Sequence, residues 1–231
     1  MRPDLIACAH GTADPRGRRV VHELVREIAR QRPELRTSLG FVDVDLPALP
    51  DLVRRVVADG TEAVVLPLLL SGGYHVHVDI AGVCGPGVAP AGALGPHELL
   101  AEVLADRLGE RRAGGAGRVV LAAAGSSDRR ALLDCELTAG LLADRIGVPV
   151  EVGYVSGAGP RLGAVLARQS GRVAVATYLL APGAFADHVR RIAVQAGAVG
   201  CSGPIGADPR VAGIALARYD EAVRQPATIP A

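Results

Sequence analysis

The sequence predicts an α/β protein of two similar domains, each a small doubly wound parallel sheet flanked by helices, with a cleft between them. Three observations predict it. Apolar runs of strand length alternate with amphipathic stretches of helical spacing; several of the runs are apolar throughout, as strands covered on both faces are; and the pattern starts again after a glycine-rich break.

The first apolar run, Leu5 to Ala9, ends at His10-Gly11, and from about Arg18 the spacing of Val21, Leu24, Val25 and Ile28 is that of a helix face. A second strand is expected over 36–44, followed through DLPALP by a helix over 51–59. The third strand, 63–70, is almost wholly apolar and runs into the loop SGGYHVHVDIAG; a short strand at 92–94 and a helix at 97–108 complete the half. RRAGGAGR at 111–118 then reads as a linker, dividing the chain into an N-terminal α/β domain at 1–113 and a C-terminal repeat at 114–231. VVLAAAGSSD at 119–128 parallels DLIACAHGTAD at 4–14, VEVGYVSGAGP at 150–160 parallels TSLGFVDVDLP at 37–47, and VAVATYLLAPGAFADHV at 173–189 parallels AVVLPLLLSGGYHVHVD at 63–79. Ligands of such sheets gather at the carboxyl ends of the strands, so the functional residues are sought there.

Composition excludes several classes. The 231 residues are 49% hydrophobic and carry a net charge of +1, from 25 basic and 24 acidic residues with no long run of either sign. That is a globular chain with no advertised polyanion surface, and no nucleic acid is expected as a partner. Every basic residue is arginine, as codon bias in a GC-rich genome produces, and the absence of lysine rules out a Schiff base or a GxxxxGK phosphate loop. The opening MRPDLIACAHG is too short in apolar residues for a signal segment or a membrane span, so a cytoplasmic protein is expected. Cys8, Cys84, Cys135 and Cys201 are scattered without a CxxC pair and read as small apolar residues, with no disulfide framework or thiolate metal site.

Histidines and carboxylates at strand ends carry the chemistry. His10 follows the first strand and His75 the third, and parallel strands bring such ends onto one rim. Neutral imidazole binds divalent iron, cobalt, nickel and zinc and is a base near neutral pH. Gly11, Gly72 and Gly73 allow backbone to approach a large flat ligand. His77 is a third ligand or a rim residue, while His22, His97 and His188 read as surface or packing residues. Asp43 and Asp45 end the second strand, where alternation puts both carboxylates on one face. They complete a metal site, relay protons or cap the following turn, and the residues alone leave the three roles open. GAGPRLG at 157–163 has the wrong glycine spacing for a dinucleotide loop, and GSSD at 125–128 has no histidine pair in its own half.

With A-H-G-T-A-D-P-R-G at 9–17 and P-L-L-L-S-G-G-Y-H-V-H-V-D at 67–79, the chain resembles the class II chelatases of the sirohydrochlorin and cobalt type, a family with two-lobed members in which the halves repeat. The resemblance implies that the substrates are a tetrapyrrole, sirohydrochlorin, and a divalent metal, Fe2+ or Co2+, with no nucleotide. It implies that His10 and His75 bind the metal and accept pyrrole protons, with an acid on the second strand, Asp43 or in reserve Asp45. Gly11, Thr12, Arg16, Ser71, Gly72, Gly73, Tyr74 and His77 then contact substrate, and Arg16, Arg18 and Arg19 are candidate partners for its carboxylates. In the second half Ala124 stands opposite His10 and Phe185 opposite His75, so a single site per chain is expected, in a monomer or a homodimer. The rival readings are a metal-binding protein or metallochaperone for cobalt, nickel or iron without catalysis, and a two-lobed regulatory binding domain.

Overall fold

The structure, a computed structural model, describes residues 2–72, 80–109 and 115–224. Its residues divide into two compact units, 1–94 with 207–231, and 95–206.

Unit 1 is built on four parallel strands in the order β2-β1-β3-β4, with β1 Asp4–Ala9, β2 Thr37–Phe41, β3 Ala63–Pro67 and β4 Val88–Pro90. Every residue of β3 is buried, and so are five of the six of β1, which is why these two runs carry no polar alternation. One sheet face, through Ile6, Cys8 and Val65, packs on Leu49 and Val53 of helix α2, Leu49–Ala58. Helix α1, Pro15–Gln31, buries Gly17, Val21, Leu24 and Ile28, a stripe at helical period. Asp14 caps it by accepting the Arg16 amide at 2.8 Å, and Pro15, whose missing N–H is no loss in a first turn, opens it. A short helix α3, Ala81–Val83, precedes β4.

Unit 2 repeats the plan as β6-β5-β7-β8, all parallel, with β5 Arg118–Ala123, β6 Val150–Tyr154, β7 Val173–Tyr178 and β8 Gly200–Cys201. Its helices are α5 Arg129–Ile146, α6 Leu162–Arg168 and α7 Ala184–Gln195. The α/β class, the parallel sheets and the duplication are those expected from the sequence. Among the described residues no helix is long and apolar enough to cross a membrane.

Three boundaries differ from expectation. The second strand stops at Phe41 instead of running to Val44, because Phe41 turns its amide to Pro47 O at 3.0 Å and the chain folds back. The last strand of the half lies at Val88–Pro90 and not at 92–94; Leu94 is fully buried and its amide reaches Leu69 O at 2.9 Å, but no ladder forms there. The compact units also divide otherwise than the sequence halves at 113/114. Helix α4, Glu98–Gly109, which follows β4, packs on α5 and β7 within unit 2, while α8, Pro209–Arg224, which ends the second repeat, packs on α1, β3 and β4 within unit 1. The linker reading rested on glycine content, whereas packing is decided by which sheet face each apolar stripe covers.

Helix α8 is held in unit 1 by specific bonds as well as apolar burial. Arg32 pairs with Asp220 through two contacts, at 2.5 and 2.9 Å, and the guanidinium holds the Asp220 carboxyl below its ordinary range. Arg218 donates to Ala93 O at 2.9 Å, and the Tyr219 hydroxyl, on a side chain only 1% exposed, donates to Pro3 O at 2.6 Å. Tyr219→Phe is expected to cost about 1 kcal/mol, one hydrogen bond with its acceptor left buried. Tyr219→Ala is expected to cost about 3–5 kcal/mol through the cavity it leaves. Urea unfolding of the two variants checks both.

Candidate active site

The site is assembled where the first two strands stop. Parallel pairing of β1 with β2 continues past the strand ends: Val42 donates to Ala9 O at 3.0 Å and Asp43 to His10 O at 3.0 Å. The loop after β3 starts beside them, with the Leu68 amide on Cys8 O at 2.7 Å. In the strand order 2-1-3-4 the crossovers leave β1 in one direction and β3 in the other, so the carboxyl ends of these neighbours form the topological switch point, the usual ligand position in such sheets.

His10 is exposed at this point. Gly11 behind it has φ +96°, and a Cβ there would lie 2.2 Å from Asp43 O, so the residue must be glycine for the two loops to meet. Thr12 places its hydroxyl on the Asp14 amide at 3.1 Å. Ser71 and Gly72 are half-buried on the segment following β3. Gly73, Tyr74, His75 and His77 lie outside the described residues, as does Asp79.

The carboxylates do not share a strand face. Beyond Phe41 the chain makes a γ-turn: the Asp45 amide donates to Asp43 O at 2.6 Å around Val44, which has φ +61°, a strained value for a β-branched side chain. Alternation fails because the strand has already ended. Asp43 is exposed and accepts the Val44 amide at 2.8 Å. Asp45 accepts the Thr12 amide at 2.8 Å and pairs with Arg18 Nε at 3.1 Å, leaving its side chain 12% exposed.

Two of the three arginines expected to greet substrate carboxylates are otherwise engaged. Arg16 forks onto Asp14, with contacts of 3.1, 3.2 and 2.7 Å, and these bonds lower the Asp14 pKa to about 2. Arg18 donates to Thr12 O at 2.9 Å and Ala13 O at 3.2 Å. Arg19 is exposed on α1. Of the other histidines, His22 sets its ring edge toward Phe41 at 6.5 Å, His97 stands just before α4 and accepts the Leu99 amide on Nδ1 at 3.1 Å, and His188 is half-buried on α7.

The second repeat has the same backbone without the chemistry. Gly125 has φ +93° and a Cβ position 2.0 Å from Ser156 O, the Ser156 amide meets Ala124 O at 2.8 Å, and Asp128 caps α5 with Arg130 forked onto it, as Asp14 and Arg16 do. Position by position, His10, Asp43, Val44 and Asp45 become Ala124, Ser156, Gly157 and Ala158. The strained Val44 escaped sequence reasoning, although its pairing with Gly157, φ +67°, was the available signal.

The family model CbiX matches residues 4–111 and 118–222. The chain belongs to the CbiX family. This is the class II chelatase membership that the motifs at 9–17 and 67–79 suggested. The chain is 28% identical over 82 residues to a sirohydrochlorin cobaltochelatase of Methanothermobacter thermautotrophicus, covering 35% of this chain and 57% of that protein. It is 29% identical over 77 residues to one of Methanococcoides burtonii, covering 33% and 59%. The chain thus spans less than two thirds of the length of either relative. Two solved structures, SirB from Bacillus subtilis with Fe3+ and the sirohydrochlorin chelatase SirB of subspecies spizizenii with cobalt, each superpose with a TM-score of 0.82 at 22% identity, over 98% of this chain and 97% of theirs, which establishes the fold.

Two outcomes follow from this geometry. Gly11→Ala and Gly125→Ala are each expected to destabilise the protein by about 1–3 kcal/mol, from the positive φ and the carbonyl in the way, measured by urea unfolding. All four cysteines are free, and burial raises the thiols of Cys84 to about 11 and Cys135 to about 12. At pH 8 a thiol reagent should therefore label both on the order of a hundredfold more slowly in native protein than in urea, since thiolate is the reacting form. Because the folded pKa values lie above the unfolded one, the stabilisation is complete below about pH 9 and lost as pH rises from there toward 12.

Proposed function

We propose that this CbiX-family protein is a sirohydrochlorin chelatase that inserts a divalent metal, Fe2+ or Co2+, into the tetrapyrrole. The observation that carries the reading is the position of His10, exposed at the switch point where the chain ends of β1 and β2 are bonded together and the motif-bearing segment after β3 begins. The relatives from Methanothermobacter thermautotrophicus and Methanococcoides burtonii are sirohydrochlorin cobaltochelatases, which supports the same substrate.

In the proposed reaction a divalent ion replaces the two N–H protons of the macrocycle, so metal ion and free ligand become metal complex and two protons. His10 and His75, as neutral bases, hold the incoming ion and take those protons, and Asp43, whose amide is fixed on His10 O, supplies the carboxylate. Imidazole and carboxylate hold such an ion loosely enough to release it. Segments 11–12 and 71–77 contact the macrocycle; Arg16 and Arg18, already engaged, leave the substrate's carboxylates to other groups. The metal is a substrate and no nucleotide takes part. Iron and cobalt suit the same donors, so the metal follows from supply.

The test is anaerobic absorbance of the protein with sirohydrochlorin and either ion, beside His10→Ala and His75→Ala. Acceleration reduced about 100-fold or more in both variants is expected, the scale of a lost acid–base group. Metal bound by wild type with no acceleration over the protein-free mixture would replace this reading with a metal carrier.

A further inference from the structure

Asp45 and Arg18 pair with each other, and their remaining bonds run to one target. Asp45 Oδ2 accepts the Thr12 amide at 2.8 Å and Oδ1 meets Arg18 Nε at 3.1 Å; Arg18 in turn donates to the carbonyls of Thr12 at 2.9 Å and Ala13 at 3.2 Å. The pair therefore grips the donor and acceptor groups of the loop that begins at His10. The γ-turn that directs Asp45 onto Thr12 is the strained one at Val44, and strain of that kind persists only where the surroundings over-determine it.

The second repeat is an internal control. Ala158 stands for Asp45 and Leu132 for Arg18, and the corresponding loop is tied by a plain backbone bond from the Ala158 amide to Ser126 O at 3.0 Å, around an unstrained Gly157. Folding of the motif needs neither charge nor strain. Both occur in the repeat that keeps the imidazole.

We propose that Asp45 and Arg18 are positioning residues: they fix the His10 loop against the Asp43 turn, setting the separation of imidazole and carboxylate, and Asp45 is not itself a metal ligand. What His10 does there rests on the chelatase reading; the grip on its loop does not. A loop left free to shift by about 1 Å can cost on the order of 100-fold in rate.

The experiment compares wild type with Asp45→Ala, Asp45→Asn, Arg18→Gln and the Asp45→Ala/Arg18→Gln double variant. Three quantities are read: exchange of the Thr12 amide, the visible Co2+ spectrum of protein titrated with that ion, and kcat for chelation. Asp45→Ala is expected to speed Thr12 exchange at least about tenfold, and Asp45→Ala and Arg18→Gln to lower kcat about 10–100-fold. The double variant should be no worse than the worse single one, as for residues of one network. Asp45→Asn, which keeps an oxygen for the Thr12 amide, should recover most of the loss. The proposal is overturned if Asp45→Ala leaves Thr12 protected and kcat within twofold. It is equally overturned if Asp45→Asn falls as far as Asp45→Ala while Arg18→Gln changes nothing, the pattern of a lost ligand. If wild type chelates no tetrapyrrole, only the chelatase reading fails and the Co2+ spectrum decides: a spectrum altered alike by Asp45→Ala and Arg18→Gln and kept by Asp45→Asn upholds the proposal, and one unchanged in Asp45→Ala sinks it.

Discussion

The bond from the Asp43 amide to the His10 carbonyl, 3.0 Å long, extends strand pairing one step past the sheet, and the candidate site hangs on that step. Two loops that leave adjacent strands would normally diverge toward their helices. Here the backbone ladder continues through Val42 and Asp43, so the residue after β1 and the residue two beyond β2 are held at backbone hydrogen-bond distance. The approach is too close for any side chain at Gly11, whose Cβ would fall inside the Asp43 carbonyl. Once the glycine is present, the backbones of His10 and Asp43, which carry an imidazole and a carboxylate, are held side by side. A rigid sheet edge thus supplies a proximity that two mobile loops would have to find by ordering themselves.

The second repeat separates what this motif needs for folding from what it adds. Gly125, Asp128 and the Ala124–Ser156 bond are retained, so the glycine, the capping aspartate and the extended ladder belong to the fold. The same comparison disposes of Arg16: its twin Arg130 is forked onto Asp128 in a half with Ala124 in the place of His10, and a helix cap explains both. What remains peculiar to the first repeat is His10, Asp43, the strained Val44, and the Asp45–Arg18 grip. Leu46, 82% exposed, also faces Gly159 in the pairing, so the rim of the first repeat is more apolar as well as more charged.

The central strands were legible because burial on both faces removes polar residues from the sequence itself: β3 and β7 are apolar or nearly so from end to end, and each is wholly buried. Helix α1 was legible from a three-and-four spacing that Val21, Leu24 and Ile28 then bury. Edges were less so. The run TSLGFVDVD keeps a strand-like alternation four residues beyond the last ladder position, and the amide of Phe41, engaged by Pro47, ends the strand without any breaker in place. That error carried the two carboxylates onto one face. Histidine 10 could be read as a strand-end residue from the apolar run before it; the partner of Asp45 could not, because a bond spanning 33 residues leaves no local pattern. The sequence also could not show which sheet each terminal helix covers, since α4 and α8 are amphipathic toward either repeat and only packing chooses.

That choice bears on why a repeat without imidazoles at its strand ends persists. The sheet that carries His10 is covered on one side by α8, whose Val211, Ile214, Ala215 and Tyr219 are buried against it and whose chain position follows the whole second repeat. Helix α4, encoded directly after β4, is committed to α5 and β7. The first repeat, cut out by sequence, would therefore expose the parts of α1, β3 and β4 that α8 covers, and a domain of about a hundred residues has little burial to spare. The sheet that carries His10 thus depends on a helix of the second repeat, and that dependence requires none of the residues at the strand ends of the second repeat. This accounts for the observed pattern: strand burial, capping aspartate and loop glycine kept in both halves, and His, Asp and Asp reduced to Ala, Ser and Ala in one.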